Sequence, residues 1–269
     1  MTTLVSAFVS NINSRDDMNI QKYYHNGRLF LKSTAPKVVF LDEPMLELIG
    51  EDYDKTTTLL IKINREDNYL YQYKHLITKF TLNADTTKKD TLDYMFSMCN
   101  KTEWLKTAID LNHFNTDNFT WVDFGIRYIC HCTDDEFIQK LDNLQNKVYQ
   151  ELRLGKIWDL NRISKRTDEI YVFGDVEHFQ NYDHFKDNTE WAFNIYETIA
   201  WAFAGGIIGG SKDKLLLFAD KMRTKCIEII HTRNTIMWET NIWYLIYVDN
   251  KELFNPYPGD HNNSLLDNY

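Results

Sequence analysis

Short apolar segments alternate with amphipathic segments through the first half of the chain, and this alternation limits the fold more than any other feature. Residues 3–9 form an apolar run that stops at the polar pair Ser10 and Asn11, and residues 37–41 form a second such run. Between them, residues 16–31 carry apolar side chains at helical spacing. Alternating strands and helices indicate an α/β fold with a mostly parallel sheet, whose ligands bind beyond the carboxyl ends of the strands.

The same periodicity predicts the remaining elements. Strands are predicted for segments rich in apolar and β-branched residues, at 56–63, 119–123 and 168–173. Helices are predicted where apolar residues recur every three or four positions, at 69–80, 91–111, 133–148, 212–231 and 238–247. The polar stretch 175–190 is predicted to be an exposed loop. We expect one continuous α/β core rather than two independent domains.

Composition excludes several classes of protein. The net charge of -9 argues against a general nucleic-acid binder, because broad phosphate recognition needs a basic surface. The first ten residues lack the basic and apolar regions of a secretion signal, and the apolar stretch 199–208 is too short to span a bilayer. We therefore expect a cytoplasmic protein, and any membrane association would be peripheral.

The four cysteines do not form the framework of a disulfide-rich domain and favour a reducing compartment. Cys130, His131 and Cys132 offer a possible zinc site. On a strand, however, alternation would place the two thiols on one face and the imidazole on the other. We favour structural cysteines over metal ligands here.

The sharpest local signal is the segment Trp121-Val122-Asp123-Phe124-Gly125. An apolar strand that ends in an acid places a carboxylate at the edge of the sheet, and the following glycine lets a ligand approach the backbone. By itself the pattern is also typical of a turn or cap.

Read together with its surroundings, this segment resembles the HtrL/YibB family. In the first half, the residues that carry the resemblance are Thr3-Leu4-Val5-Ser6-Ala7-Phe8, Arg15, Tyr24, Gly27, Val38-Val39-Phe40, Thr86-Thr87-Lys88-Lys89-Asp90-Thr91, Asp93, Lys101, Glu103, Lys106, Asn112, Phe114 and residues 119–126. In the second half they are residues 204–210, Trp238-Glu239-Thr240-Asn241-Ile242-Trp243, Glu252-Leu253-Phe254, Tyr257, Gly259-Asp260-His261 and Asn268-Tyr269. Only residues 130–190 lack a matching pattern.

This resemblance implies a GT-A-like glycosyltransferase, of a kind tied to surface polysaccharide assembly. It implies a Rossmann-type, mixed and mostly parallel sheet flanked by helices, with a nucleotide-binding half at 1–130 and an acceptor-side half at 131–269. The implied partners are a nucleoside-diphosphate sugar, with uridine as the expected base, and a glycan or related hydroxyl acceptor. The implied donor-binding residues are Ser6, Ala7, Phe8, Arg15, Lys101, Asp123, Gly125, Gly205, Gly206 and Gly209.

One departure from the GT-A pattern concerns the metal. Those enzymes usually carry Asp-X-Asp, whereas this chain has Asp123-Phe124-Gly125. A single carboxylate still ligates Mn²⁺ or Mg²⁺ when diphosphate oxygens and water complete the shell. We expect Asp123 and His261 to converge on one pocket and hold this cation, with an ordinary Gly-Asp turn as the alternative for His261.

Two further features have both structural and functional interpretations. The glycine pairs at 205–206 and 209–210 fit either a close backbone approach to a ligand or a bulge in the sheet. Glu239 fits either a favourable helix N-terminus or a catalytic residue that deprotonates or orients the acceptor hydroxyl.

Two rival functions remain open at this point. A non-catalytic nucleotide- or glycan-binding protein on the same scaffold is suggested by the missing second Asp. A metal-dependent phosphoesterase ranks last, because the chain lacks the usual cluster of His and Asp ligands.

Overall fold

The computed structural model describes residues 1–15, 18–82, 88–157, 195–197 and 199–269. The strands in these ranges are Thr2–Phe8 (β1), Lys37–Leu41 (β2), Thr58–Lys62 (β3), Asn118–Val122 (β4), Arg153–Lys156 (β5), Phe203–Ser211 (β6) and Tyr257–Pro258 (β7). They form one seven-stranded sheet in the order β3-β2-β1-β4-β6-β5-β7.

Within this sheet β6 runs against its neighbours. β1 pairs in parallel with β2 and β4, β2 pairs in parallel with β3, and β5 pairs in parallel with β7. β6 is antiparallel to both β4 and β5. The beginning of β6 therefore lies at the edge of the sheet where the other strands end. This mixed, mostly parallel sheet flanked by helices confirms the predicted fold class.

The α-helices of the described ranges cover the sheet. They are Ile20–Lys32 (α1), Glu43–Ile49 (α2), Leu92–Cys99 (α3), Lys101–Leu111 (α4), Asp134–Leu144 (α5), Lys212–Arg233 (α6), Glu239–Asp249 (α7) and Ser264–Asp267 (α8). Side-chain caps explain where several begin: Asn19 accepts from the Lys22 N–H, and Thr133 forms a capping box with Glu136.

Alternating side chains of the strands divide the core between the two faces of the sheet. Val5, Phe119 and Trp121 belong to one buried cluster, which packs against α3, α4, α6 and α7. Leu4 and Val122 belong to the other cluster, which packs against α1, α2, α5 and α8. Neighbouring residues of one strand thus face opposite layers, as the period of two along a strand requires.

Local structure differs from the sequence-based expectations in three places. The single helix predicted at 91–111 is broken at Asn100, which ends α3 and begins α4. The helix predicted at 69–80 is a 3₁₀ helix at Tyr69–Leu76. Cys130 follows another 3₁₀ helix, Ile126–Ile129, and residues 130–132 do not form a strand. The strand predicted at 168–173 and the loop predicted at 175–190 lie outside the described residues.

The length and composition of the helices in the described ranges bear on membrane association. None of them is both long enough and apolar enough to cross a bilayer.

Candidate active site

A cavity of about 330 Å³ opens at the edge of the sheet where the parallel strands end. Its walls come from the end of β1 and the segment after it, the start of α1, α3, and the segment that follows β4. Its charged and aromatic lining side chains include those of Phe8, Arg15, Tyr23, Lys89, Tyr94 and Asp123. The cavity therefore lies where ligands bind in open α/β sheets.

Asp123 is the first residue after β4, and its position is fixed by backbone and side-chain contacts. Its N–H donates to the Gly206 carbonyl at 2.9 Å. Its Oδ1 accepts from the Trp121 indole Nε1 at 2.7 Å and lies 3.0 Å from the Lys101 ammonium. No hydrogen bond within the described part of the chain reaches Oδ2. The side chain is 36% exposed, so one carboxylate oxygen remains available to a ligand.

Lys101, the first residue of α4, is almost completely buried behind Asp123. Its Nζ donates to the Gly205 carbonyl and to Glu239 Oε1, both at 2.9 Å. Burial by itself lowers the pKa of Lys101. The negative charges of Asp123 and Glu239 and the hydrogen bonds to them outweigh burial and raise the pKa above its ordinary value. The ammonium is therefore charged at neutral pH.

Glu239 begins α7 and approaches the site from the other side. Its side chain is 8% exposed, and Oε1 is held by Lys101. A Cβ atom on residue 205 would lie 2.6 Å from this oxygen, so the close contact requires glycine there. The structure thus brings together four residues that the sequence analysis had singled out from distant parts of the chain: Lys101, Asp123, Gly205 and Glu239.

Two cationic side chains, Arg15 and Lys89, line the cavity. Burial lowers the pKa of Lys89; the charges of Asp90 and Glu239 oppose this, while those of Arg15 and Lys101 add to it. The Lys89 ammonium also lies 5.3 Å from the ring centre of Tyr94. Two cations in one cleft favour an anionic ligand.

Aromatic side chains form another wall of the cavity. The rings of Phe8 and Tyr23 are 4.8 Å apart, and those of Phe8 and Phe124 are 6.0 Å apart. A Cβ atom on residue 125 would come within 3.0 Å of the Tyr23 ring, so Gly125 lets this ring close over the segment after β4. Flat apolar surfaces of this kind suit a nucleobase.

His261 follows β7 and lies at the same edge of the sheet, but it does not line this cavity in the described ranges. Its Nδ1 is 3.2 Å from Asp260 Oδ1, and its ring is 5.2 Å from that of Trp201 at 86°. Three strand intervals of about 4.8 Å each separate β7 from β4, or about 14 Å. Convergence of His261 and Asp123 on one pocket therefore stays a prediction.

Other predicted donor-binding residues occupy different positions. Ala7 lines the cavity, whereas Ser6 is fully buried within β1 and is not part of the lining. Gly206 contributes its carbonyl to Asp123 and packs against Leu265. Gly209 lies inside the sheet, where a Cβ would overlap the Tyr269 hydroxyl. Its position gives Gly209 a packing role rather than a place beside the cavity.

Within the described ranges, no three His, Cys, Asp or Glu side chains form a group that would hold a metal ion. At Cys130, the thiol instead donates to the Ile126 carbonyl. For a cation at the cavity, the protein offers Asp123 Oδ2, and a bound diphosphate and water would have to supply most of the remaining ligands. The donor set fits Mn²⁺ or Mg²⁺ on that condition.

Sequence reasoning did not assign roles to Tyr23, Lys89 or Tyr94. Lys89 belongs to a pair of adjacent lysines just before α3, and this pair was the available signal. The two tyrosines are indistinguishable from ordinary core residues in the sequence, because only the fold shows that they face a cavity.

Neither a known protein family nor a curated protein matches the sequence. Among solved structures, the chain is similar to the apo form of mouse xyloside xylosyltransferase 1, with a TM-score of 0.45 and 9% identity over 96% of this chain and 85% of that one. It is also similar to 4-diphosphocytidyl-2C-methyl-D-erythritol synthase from Anaerococcus prevotii DSM 20548, with a TM-score of 0.42 and 6% identity over 96% and 86% of the two chains. These similarities concern the fold alone.

Proposed function

We propose that this chain is a glycosyltransferase that moves a sugar from a nucleoside-diphosphate sugar, UDP-linked, to a hydroxyl of a glycan or related acceptor. The observation that carries the proposal is the carboxylate of Asp123, held at the rim of a cavity that also contains two cations and an aromatic wall. The HtrL/YibB resemblance supports the same activity and a role in polysaccharide assembly.

The cavity suggests how the donor would lie. Its base would pack against Phe8 and Tyr23, and its diphosphate would extend toward Arg15 and Lys89. Asp123 would then accept from a ribose hydroxyl with Oδ2 and reach the diphosphate only through a bound cation. Fixed positive charges in the cleft would stabilise the negative charge that develops on the leaving diphosphate.

A divalent cation, Mn²⁺ or Mg²⁺, belongs to the proposal. Asp123 would hold it, with His261 as the second protein ligand. When bound, such a cation neutralises charge on the diphosphate. Phe8, Tyr23, Arg15 and Lys89 would orient the donor so that its diphosphate lies beside the cation, and the contacts of Asp123 would keep its carboxylate in place.

The decisive experiment incubates the protein with a panel of nucleotide sugars and Mn²⁺ and follows the release of nucleoside diphosphate. Asp123→Asn should abolish release of the preferred donor's diphosphate. Asp117→Asn is a matched control, because Asp117 precedes the same strand but is 85% exposed and pairs with Lys212. Wild-type turnover in Asp123→Asn would refute the assignment.

The second candidate is a protein that binds nucleotides or glycans without catalysis, favoured by the single carboxylate in Asp123-Phe124-Gly125. It predicts that a nucleoside diphosphate raises the melting temperature through binding to the native state. It also predicts that no donor of the panel is hydrolysed. The combination of both results would replace the glycosyltransferase proposal.

A further inference from the structure

We propose that Lys101 is a positioning residue, whose buried ammonium holds the Asp123 carboxylate in place and uses Glu239 as its second anchor. The inference rests on the proposed function, since it explains how the carboxylate at the cavity is oriented. It also replaces two earlier hypotheses, donor binding by Lys101 and acid–base catalysis by Glu239.

Two hydrogen bonds and one ion pair engage the Lys101 ammonium within the protein. An ammonium group has three N–H donors. The three acceptors in contact with it are the Gly205 carbonyl at 2.9 Å, Glu239 Oε1 at 2.9 Å and Asp123 Oδ1 at 3.0 Å. Lys101 is 1% exposed and does not line the cavity. Contact with a bound donor would require it to break one of these interactions.

The surroundings of the ammonium strengthen its hold on Asp123. The rings of Trp121 and Trp243 lie 5.9 and 6.0 Å from Nζ and exclude water from this side. Electrostatic attraction between charged groups is stronger in such a site than in water. The Trp121 indole donates to the same carboxylate oxygen, Oδ1. The hydrogen bond and the ion pair both hold Oδ1, which leaves Oδ2 as the carboxylate oxygen for a ligand.

The carboxylate of Glu239 is the second negative charge that pairs with the Lys101 ammonium. Two carboxylates share one ammonium, so loss of Lys101 would leave two like charges near each other in a poorly solvated place. Because Oε1 of Glu239 is already engaged and the side chain is 8% exposed, this residue is better suited to anchor Lys101 than to deprotonate an acceptor. The break in the helix at Asn100 places Lys101 at the start of α4, level with both partners.

The test compares Lys101→Met with Lys106→Met, a matched control on the same helix whose partner Asp220 is exposed. The first readout is the indole N–H resonance of Trp121 in a nuclear magnetic resonance spectrum, identified by its loss in Trp121→Phe. We expect this resonance to shift in Lys101→Met and to stay in place in Lys106→Met. An unshifted resonance in folded Lys101→Met would overturn the proposal. Because the ammonium lies 5.9 Å from the Trp121 ring and affects this resonance directly, Lys101→Met is also introduced into Asp123→Ala, and an equal shift in both backgrounds would overturn the proposal as well.

The second readout is turnover of the preferred donor. A displacement of Asp123 by about 1 Å should lower kcat roughly 100-fold, while KM rises far less because Phe8, Tyr23, Arg15 and Lys89 still line the cavity. Glu239→Gln, which keeps a hydrogen-bond acceptor for Lys101 but removes the charge, should lower kcat much less than Lys101→Met does. Loss of turnover in Glu239→Gln as severe as in Asp123→Asn would instead make Glu239 catalytic and contradict the anchoring role.

Two outcomes would prevent a direct test: failure of Lys101→Met to fold, and a wild type without detectable hydrolysis. If Lys101→Met does not fold, the double variant Lys101→Met/Glu239→Leu removes both charges together and is read in the same spectrum, with the same shift expected. If the wild type hydrolyses no donor, the proposed function fails, but the indole resonance still reports whether Lys101 holds Asp123.

Discussion

A methionine in place of Lys37 should stabilise the protein at neutral pH, and this gain should shrink as the pH rises. Lys37 begins β2 at the edge of the sheet opposite the cavity, and its side chain is fully buried. Nζ donates to the Ser33 carbonyl at 2.6 Å and to Thr58 Oγ1 at 3.4 Å. Burial lowers the pKa of Lys37 from 10.5 to about 8, against the opposing charges of Asp142 and Asp54.

The magnitude follows from this pKa. A difference of about 2.5 pH units corresponds to about 3 kcal/mol at about 1.36 kcal/mol per unit, and this is the cost of keeping Lys37 charged in the folded protein. The two lost hydrogen bonds offset about 1 kcal/mol each. Lys37→Met should therefore be about 1–2 kcal/mol more stable than the wild type at about pH 7.

The sign of the pH dependence is fixed by the lowered pKa. Below about pH 8, Lys37 is charged in both the folded and the unfolded protein, and the full cost is present. Between about pH 8 and pH 10.5, the folded protein binds fewer protons than the unfolded chain, so the stability of the wild type rises. The advantage of Lys37→Met should disappear across this window and reverse near its upper end.

Urea denaturation followed by far-UV circular dichroism measures these free energies at a series of pH values. Lys32→Met is the control, because Lys32 is exposed at the end of α1 and should give the same stability as the wild type throughout. A free-energy difference between Lys37→Met and the wild type that does not change with pH would refute the reasoning.

Two further predictions concern packing and the cation. Gly209→Ala should destabilise the protein by about 1–3 kcal/mol, because the new Cβ overlaps the Tyr269 hydroxyl and Thr120 Oγ1; an unchanged urea midpoint would contradict this packing. Chelation by EDTA should stop donor hydrolysis and added Mn²⁺ should restore it, whereas His261→Ala should raise the Mn²⁺ concentration needed for half-maximal rate by roughly tenfold. Identical Mn²⁺ dependence in His261→Ala and the wild type would exclude His261 as a ligand.

Local patterns predicted much of the fold. The apolar runs at 3–9 and 37–41 correspond to β1 and β2 within one residue at every end, because their burial depends on composition over a few neighbouring positions. The helix expected at 91–111 is instead two helices that meet at Asn100, and Lys101 is the first residue of the second one. Nothing in the local periodicity distinguishes a continuous helix from two helices that meet at an asparagine.

The site was predictable in part for a similar reason. An acid after an apolar strand identified Asp123, since strand ends meet at one edge in a parallel sheet. The ion pair between Lys101 and Glu239 joins residues 138 positions apart, and their pairing depends on how α4 and α7 pack. For Gly209 the sequence was misleading. A glycine at this position suggested a close approach by a ligand, but the space beside it is occupied by the Tyr269 side chain.

The position of Lys37 has a practical consequence for experiments on the cavity. Lys37 is level with Leu4 of β1, and Asp123 follows Val122 of β4, so the two sites are about 10 Å apart along the strands and two strands apart across the sheet. Substitutions at that separation usually have additive effects on stability. Lys37→Met therefore provides a more stable background, in which substitutions that line the cavity and destabilise the protein can be assayed while the protein stays folded.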